Sequence, residues 1–156
     1  MQIRTLPDCT PEAADLIERH TTFCDGTAPP GSCHRLPAAA LFAPEITVWG
    51  VFDPELIGIG ALKQLSPTDG EIKSMHTRPA ARGKGVARAL LAAIVAEARG
   101  RGMTALWLET GVHPDFSAAR SLYAAHGFHD CPPFGSYALD PHSTFMTLDL
   151  TAETAQ

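Results

Sequence analysis

The chain has 156 residues, 45% of them hydrophobic and 19% charged, which suits one domain with a full core and leaves too little for two. A net charge of −5 argues against a general nucleic-acid binder, which wants a basic face. No apolar run approaches the roughly 20 residues of a membrane span, and Met1 to Thr5 carries no secretion-signal pattern, so the expectation is a cytoplasmic protein with no membrane partner.

A first strand is predicted over 2–6. Residues 11–23 read as a helix, because Ala13, Ala14, Leu16, Ile17 and His20 fall at helical spacing and Thr10 can cap ahead of Pro11. Residues 24–31 are loop by composition, and a short helix follows within 35–42. The β-rich segments 46–52 and 56–65 flank the turn Asp53-Pro54-Glu55, and a second turn over 66–70 leads into a strand over 71–77 that Pro79 stops. These short turns make three consecutive antiparallel strands.

Residues 86–101 carry the strongest helical pattern, with Val86, Leu90, Ala93, Ile94 and Ala98 on one face and Gly100 and Gly102 at the end. A strand over 104–109 must run parallel to 71–77, because a helical crossover joins them. A second amphipathic helix covers 116–126, with Asp115 as its cap and Gly127 as its stop. The last strands, 128–131 and 144–150, enclose an irregular loop over 132–143, and loops of that length in compact domains often carry function. The order is β-α-α-β-β-β-α-β-α-β-β: an α/β (mixed α+β) domain over residues 1–150, with 151–156 as a tail.

The four cysteines Cys9, Cys24, Cys33 and Cys131 make no C-x-x-C pair, so the expectation is reduced packing thiols and no metal. The chemistry-bearing stretch is Arg82-Gly83-Lys84-Gly85-Val86-Ala87, at a strand-to-helix turn. Glycines let the backbone approach a ligand, and the first N–H groups of a helix have no intrahelical partner and sit at the positive end of its dipole. A phosphate or pyrophosphate fits such a cradle, with Arg82, Lys84 and Arg88 adding charge. A P-loop is excluded because Gly85, not Ser or Thr, follows Lys84. A dinucleotide fingerprint fails because Arg88 stands where a small residue must pack.

Two motifs in order make the chain resemble the GNAT superfamily of acyl-CoA N-acyltransferases, in particular its small single-domain bacterial members. One is [QR]-x-x-G-x-[GA], met by residues 82–87 after the strand 71–77. The other is N-x-x-A-x-x-L-Y-x-x-x-G-F-like, met by residues 117–128 through Leu122, Tyr123, Gly127 and Phe128, with Ser117 in place of the asparagine. The resemblance implies a mixed sheet of about seven strands, splayed between the fourth and fifth and flanked by about four helices.

It also implies acetyl-CoA as acyl donor. Its pyrophosphate would lie on the amides of Arg82, Gly83, Lys84, Gly85, Val86 and Ala87, and its pantetheine in the split beside Met75, His76 and Thr77. Ser117 would contact it directly or through water, or else simply cap the helix. Tyr123 would protonate the leaving thiolate; periodicity alone reads it as a core aromatic. Glu71 resembles the family position of the base, and is otherwise a strand-end carboxylate partnering Lys73. By alternation Glu71, Lys73 and Met75 share a strand face and His76 turns away.

Acceptor specificity is expected from 20–35 and 132–143, with Lys73, Arg35, Phe134 and Tyr137 as substrate-binding candidates. Lys73 with Arg35 would hold an acceptor carboxylate or form a structural ion pair. The function implied is direct acetyl transfer to the primary amine of a small, amino-acid-like molecule, in a monomer or homodimer. The alternatives are a non-catalytic acyl-CoA-binding regulatory module and a protein or peptide N-acetyltransferase.

Overall fold

A computed structural model of the chain describes residues 1–25, 38–135 and 137–151. The elements are β1 (Gln2–Thr5), α1 (Pro11–Asp25), α2 (Ala38–Leu41), β2 (Ile46–Phe52), β3 (Leu56–Gln64), β4 (Asp69–Thr77), α3 (Val86–Gly100), β5 (Ala105–Gly111), α4 (Ser117–Ala125), β6 (His129–Asp130) and β7 (Ser143–Asp149). They form one seven-stranded sheet in the order β1-β2-β3-β4-β5-β7-β6. The element order is the predicted one. Among the described residues three helices exceed a single turn, and α2 is one turn.

β1 to β4 make an antiparallel meander. The α3 crossover then brings β5 alongside β4 in parallel, as the connection requires. α1 begins as predicted, with the Thr10 hydroxyl accepting from the Ala13 amide at 3.1 Å. The predicted Asp115 cap is not made. Pro114–Phe116 form a 3₁₀ turn leading into α4, and it is His113 Nδ1 that accepts from the Asp115 amide. Pro114 favours the tighter turn at this entry.

Two cores cover the two faces. On one, α1 and α2 bury Leu16, Ile17 and Leu41 against Val48, Leu56 and Ile59. On the other, α3 and α4 bury Leu90, Leu91, Ile94 and Tyr123 against Leu62, Ile72, Leu106, Leu108 and Met146. Each fully buried aliphatic side chain contributes about 1.5–3 kcal/mol by leaving water. Gly58 and Gly60 of β3 let α3 lie close. A Cβ on Gly58 would stand 2.5 Å from Val86, and one on Gly60 2.5 Å from the Met75 sulfur. Cys9, expected to pack, is exposed.

The sheet splits where the resemblance implies. β4 and β5 pair only from Asp69 with Ala105 to Ile72 with Leu108. Beyond that point β4 stays with β3, Lys73 opposite Ala61 and Thr77 opposite Gly58, while β5 stays with β7, Glu109 opposite Phe145.

A bulge accompanies the split: Ser74 has φ +56, and the register with β3 slips between Ile59 and Ala61. A bulge inserts one residue and turns the following side chains to the opposite faces. It therefore overturns the simple alternation expected for β4. Glu71 and Lys73 do share a face, but Met75 joins Ile72 against the α3 core and His76 turns to the α1 side.

Candidate active site

Gly83 and Gly85 carry φ of +79 and +83, conformations that favour glycine, and a Cβ on either would meet nothing within 4 Å. Open space therefore lies above both. Gly85 is the N-cap of α3 and no side chain among the described residues caps the helix, so the first-turn amides are available to an anion.

These residues open onto a cavity of about 470 Å³ that runs from the start of α3, past α4 and the end of β4, to α1. Its wall includes Gly83, Gly85, Val86, Ala87, Arg82 and Arg88 at the cradle. Met75, His76 and Thr77 line it from β4, and Ala118, Ala119 and Tyr123 from α4. An acyl-pantetheine chain fits this shape: its amides can pair with strand-edge groups that have no neighbouring strand, and its diphosphate with the helix end. Arg82 is steadied by a bond from its Nε to the Thr77 carbonyl at 3.3 Å. Lys84 and Ser117 are both exposed and do not line the cavity.

Tyr123 is 6% exposed and faces the same cavity. Burial, and then the charge of Glu109, raise its pKa above the ordinary tyrosine range, so the phenol stays protonated. Phe128, at a ring distance of 5.8 Å, helps to hold it.

The α1 side of the cavity holds a pair that alternation along β4 could not foresee. His20 of α1 and His76 place their Nδ1 atoms 3.3 Å apart, one donating to the other. Burial pushes His20 down to about 4. Burial first, then the charges of His20, Arg82, Arg78 and Arg19, push His76 down to about 3. Both rings are neutral at pH 7. Phe23 packs beside His76 at 6.0 Å and meets Phe116 at 5.0 Å across the split. His20, Phe23 and Phe116 are cavity residues absent from the sequence-derived site. Only the inclusion of His20 and Phe23 in the 20–35 segment pointed this way.

Glu71 and Lys73 sit where β4 and β5 part, on the face opposite Tyr123, with side chains 5% and 10% exposed. Lys73 Nζ donates to Glu71 Oε2 at 2.9 Å, and the Tyr137 hydroxyl donates to the same oxygen at 2.6 Å. Tyr137 comes from the loop between β6 and β7. That loop packs on this face through Phe134 against Trp107 at 5.5 Å and through Tyr137 against Phe145 at 5.6 Å. The candidates Phe134, Tyr137, Lys73 and Glu71 are thus brought together. Arg35, and with it the expected carboxylate clamp, lies outside the described residues, as does most of the 20–35 segment.

The sequence matches the Acetyltransferase (GNAT) family over residues 7–128. It is 43% identical over 141 residues to the uncharacterized N-acetyltransferase YedL of Escherichia coli (strain K12), spanning 90% of this chain and 89% of that one. It is 44% identical over 140 residues to the uncharacterized N-acetyltransferase YsnE of Bacillus subtilis (strain 168), spanning 89% and 93%. A crystal structure from Klebsiella pneumoniae, described as an acyl-CoA N-acyltransferase, superposes with a TM-score of 0.78 at 30% identity over 96% of this chain and 97% of that one. With a split sheet, an uncapped cradle and a buried tyrosine on one cavity, and with this match across most of its length, the chain belongs to the Acetyltransferase (GNAT) family and is an acyltransferase.

Proposed function

We propose that the protein transfers an acetyl group directly from acetyl-CoA to the primary amine of a small molecule. The observation that carries this reading is the continuity of one cavity from the start of α3, past Tyr123, to Met75, His76 and Thr77, the stretch of β4 that has parted from β5. The cradle amides with Arg82 and Arg88 bind the diphosphate. A backbone N–H near Met75 faces the thioester oxygen and stabilises the charge that develops on it.

The amine approaches from the face of Glu71, opposite Tyr123. As its nitrogen bonds to the carbonyl carbon, Glu71 takes its proton, directly or through one water. The carbon–sulfur bond then breaks and Tyr123 gives its proton to the sulfur, leaving amide and thiol. A phenol held above its ordinary range donates less readily. The same burial raises the basicity of a thiolate leaving into that cavity, so donor and acceptor stay matched.

A small acceptor is favoured over a peptide by the loop after β6. It folds over the Glu71 face through Phe134 and Tyr137 instead of leaving an open groove. Thiol release from acetyl-CoA over a panel of amino acids, polyamines and amino sugars tests the reading. Turnover with at least one free amine is expected. Binding of CoA with no turnover on any of them contradicts it and favours a binding module.

A further inference from the structure

We propose that Tyr137 is a positioning residue for Glu71, holding one carboxylate oxygen so that the other faces the acceptor, rather than a contact to the acceptor itself. The inference rests on the reading of Glu71 as base. Among the described residues, every side-chain hydrogen bond to Glu71 ends on Oε2: the Tyr137 hydroxyl at 2.6 Å and Lys73 Nζ at 2.9 Å. Lys73 also donates to the Tyr137 oxygen at 3.1 Å, closing a three-membered cluster. Among these residues Oε1 is left for a proton.

A glutamate side chain has several rotatable bonds, and a displacement of about 1 Å at a catalytic centre can cost about 100-fold in rate. Two donors on one oxygen remove most of that freedom. Tyr137 is itself fixed, with its ring 5.0 Å from Phe134 and 5.6 Å from Phe145. Its amide donates to the Phe134 carbonyl at 3.0 Å, which ties its backbone to that residue as well. A hydroxyl that donates to a carboxylate and accepts from an ammonium has spent its hydrogen on the protein, which leaves it poorly suited to reading a substrate. Burial, then the charge and hydrogen bond of Glu71, raise the Tyr137 phenol, which keeps it in the donating form.

The test is a double-mutant cycle on the full chain with Tyr137→Phe, Glu71→Gln and both, using acetyl-CoA and the fastest amine of the panel above. Thermal unfolding confirms folding; Tyr137→Phe keeps the ring packing. Tyr137→Phe is expected to lower kcat about 10-fold or more, since hydrogen bonds to charged groups are worth about that factor, with KM for both substrates within about twofold. The double variant should be no slower than Glu71→Gln alone. Lys73→Met, run through the same cycle, should converge in the same way.

If Tyr137→Phe multiplies the loss in the Glu71→Gln background, or changes only the acceptor KM, the positioning role is wrong while the base stands. If Glu71→Gln turns over at the wild-type rate, or no amine is acetylated, the base or the enzyme reading is itself wrong and the positioning role goes with it.

Discussion

Acidification should destabilise this fold through the His20–His76 pair, and the size of the effect follows from its burial. The perturbation is a fall from pH 7.5 to pH 5. In the folded chain both rings remain uncharged at pH 5, because His20 is pushed down to about 4 and His76 to about 3. In the unfolded chain both protonate with an ordinary value of about 6.5. The unfolded state therefore binds more protons, and stability rises with pH across this window.

The contribution of each ring is fully present above about 6.5 and is lost as pH falls towards the folded values. At pH 5 each ring has cost about 2 kcal/mol and the pair about 4 kcal/mol, at about 1.36 kcal/mol per pH unit. Neither figure depends on where below 5 the folded values lie. Urea unfolding at pH 7.5, 6.5 and 5, at constant ionic strength, measures it. His20→Leu or His76→Leu should each remove about half of the dependence, and the double variant nearly all of it. A double variant with the wild-type pH slope would refute the reasoning, and with it the placement of His76 against α1 by the β4 bulge.

Other outcomes follow from the same geometry. Tyr123→Phe should lower kcat by about 100-fold or more while leaving the KM for acetyl-CoA nearly unchanged, since a general acid acts after binding; wild-type turnover removes the acid role. Gly85→Glu should abolish CoA binding in calorimetry, because it forces a side chain into a φ of +83 and sets a carboxylate in the space above the α3 amides; an unchanged Kd removes the cradle. Ile94→Ala, at a fully buried position under β3, should cost about 2–5 kcal/mol in urea unfolding; a loss below about 1 kcal/mol would contradict the packing of α3 on the two glycines of that strand.

Local signals carried much of the fold. The helix over 86–100 is legible because Val86, Leu90, Ile94 and Ala98 repeat at helical spacing, and the same residues are buried. The turn ahead of that helix is legible because Gly83 and Gly85 take the positive φ values that glycine allows.

The bulge at Ser74 is not legible. A serine with φ +56 looks in sequence like any polar strand residue, yet it reverses the facing of Met75 and His76. The His20 and His76 partnership depends on that reversal, so it too was hidden. The contact between Tyr137 and Glu71 joins residues 66 apart through an irregular loop, where neither strand nor helix period applies. Ser117 is the exposed first residue of α4, and Phe116 rather than Ser117 holds the cap position.

The central claim is that main-chain amides at the start of α3 hold a diphosphate while the arm it carries enters the gap between β4 and β5. Amide chemical shifts of the isotope-labelled chain, followed as CoA is added, test this most directly. The account predicts the largest changes at Gly83 to Ala87 and at Met75 to Thr77. Saturable binding that leaves both segments unmoved would contradict it.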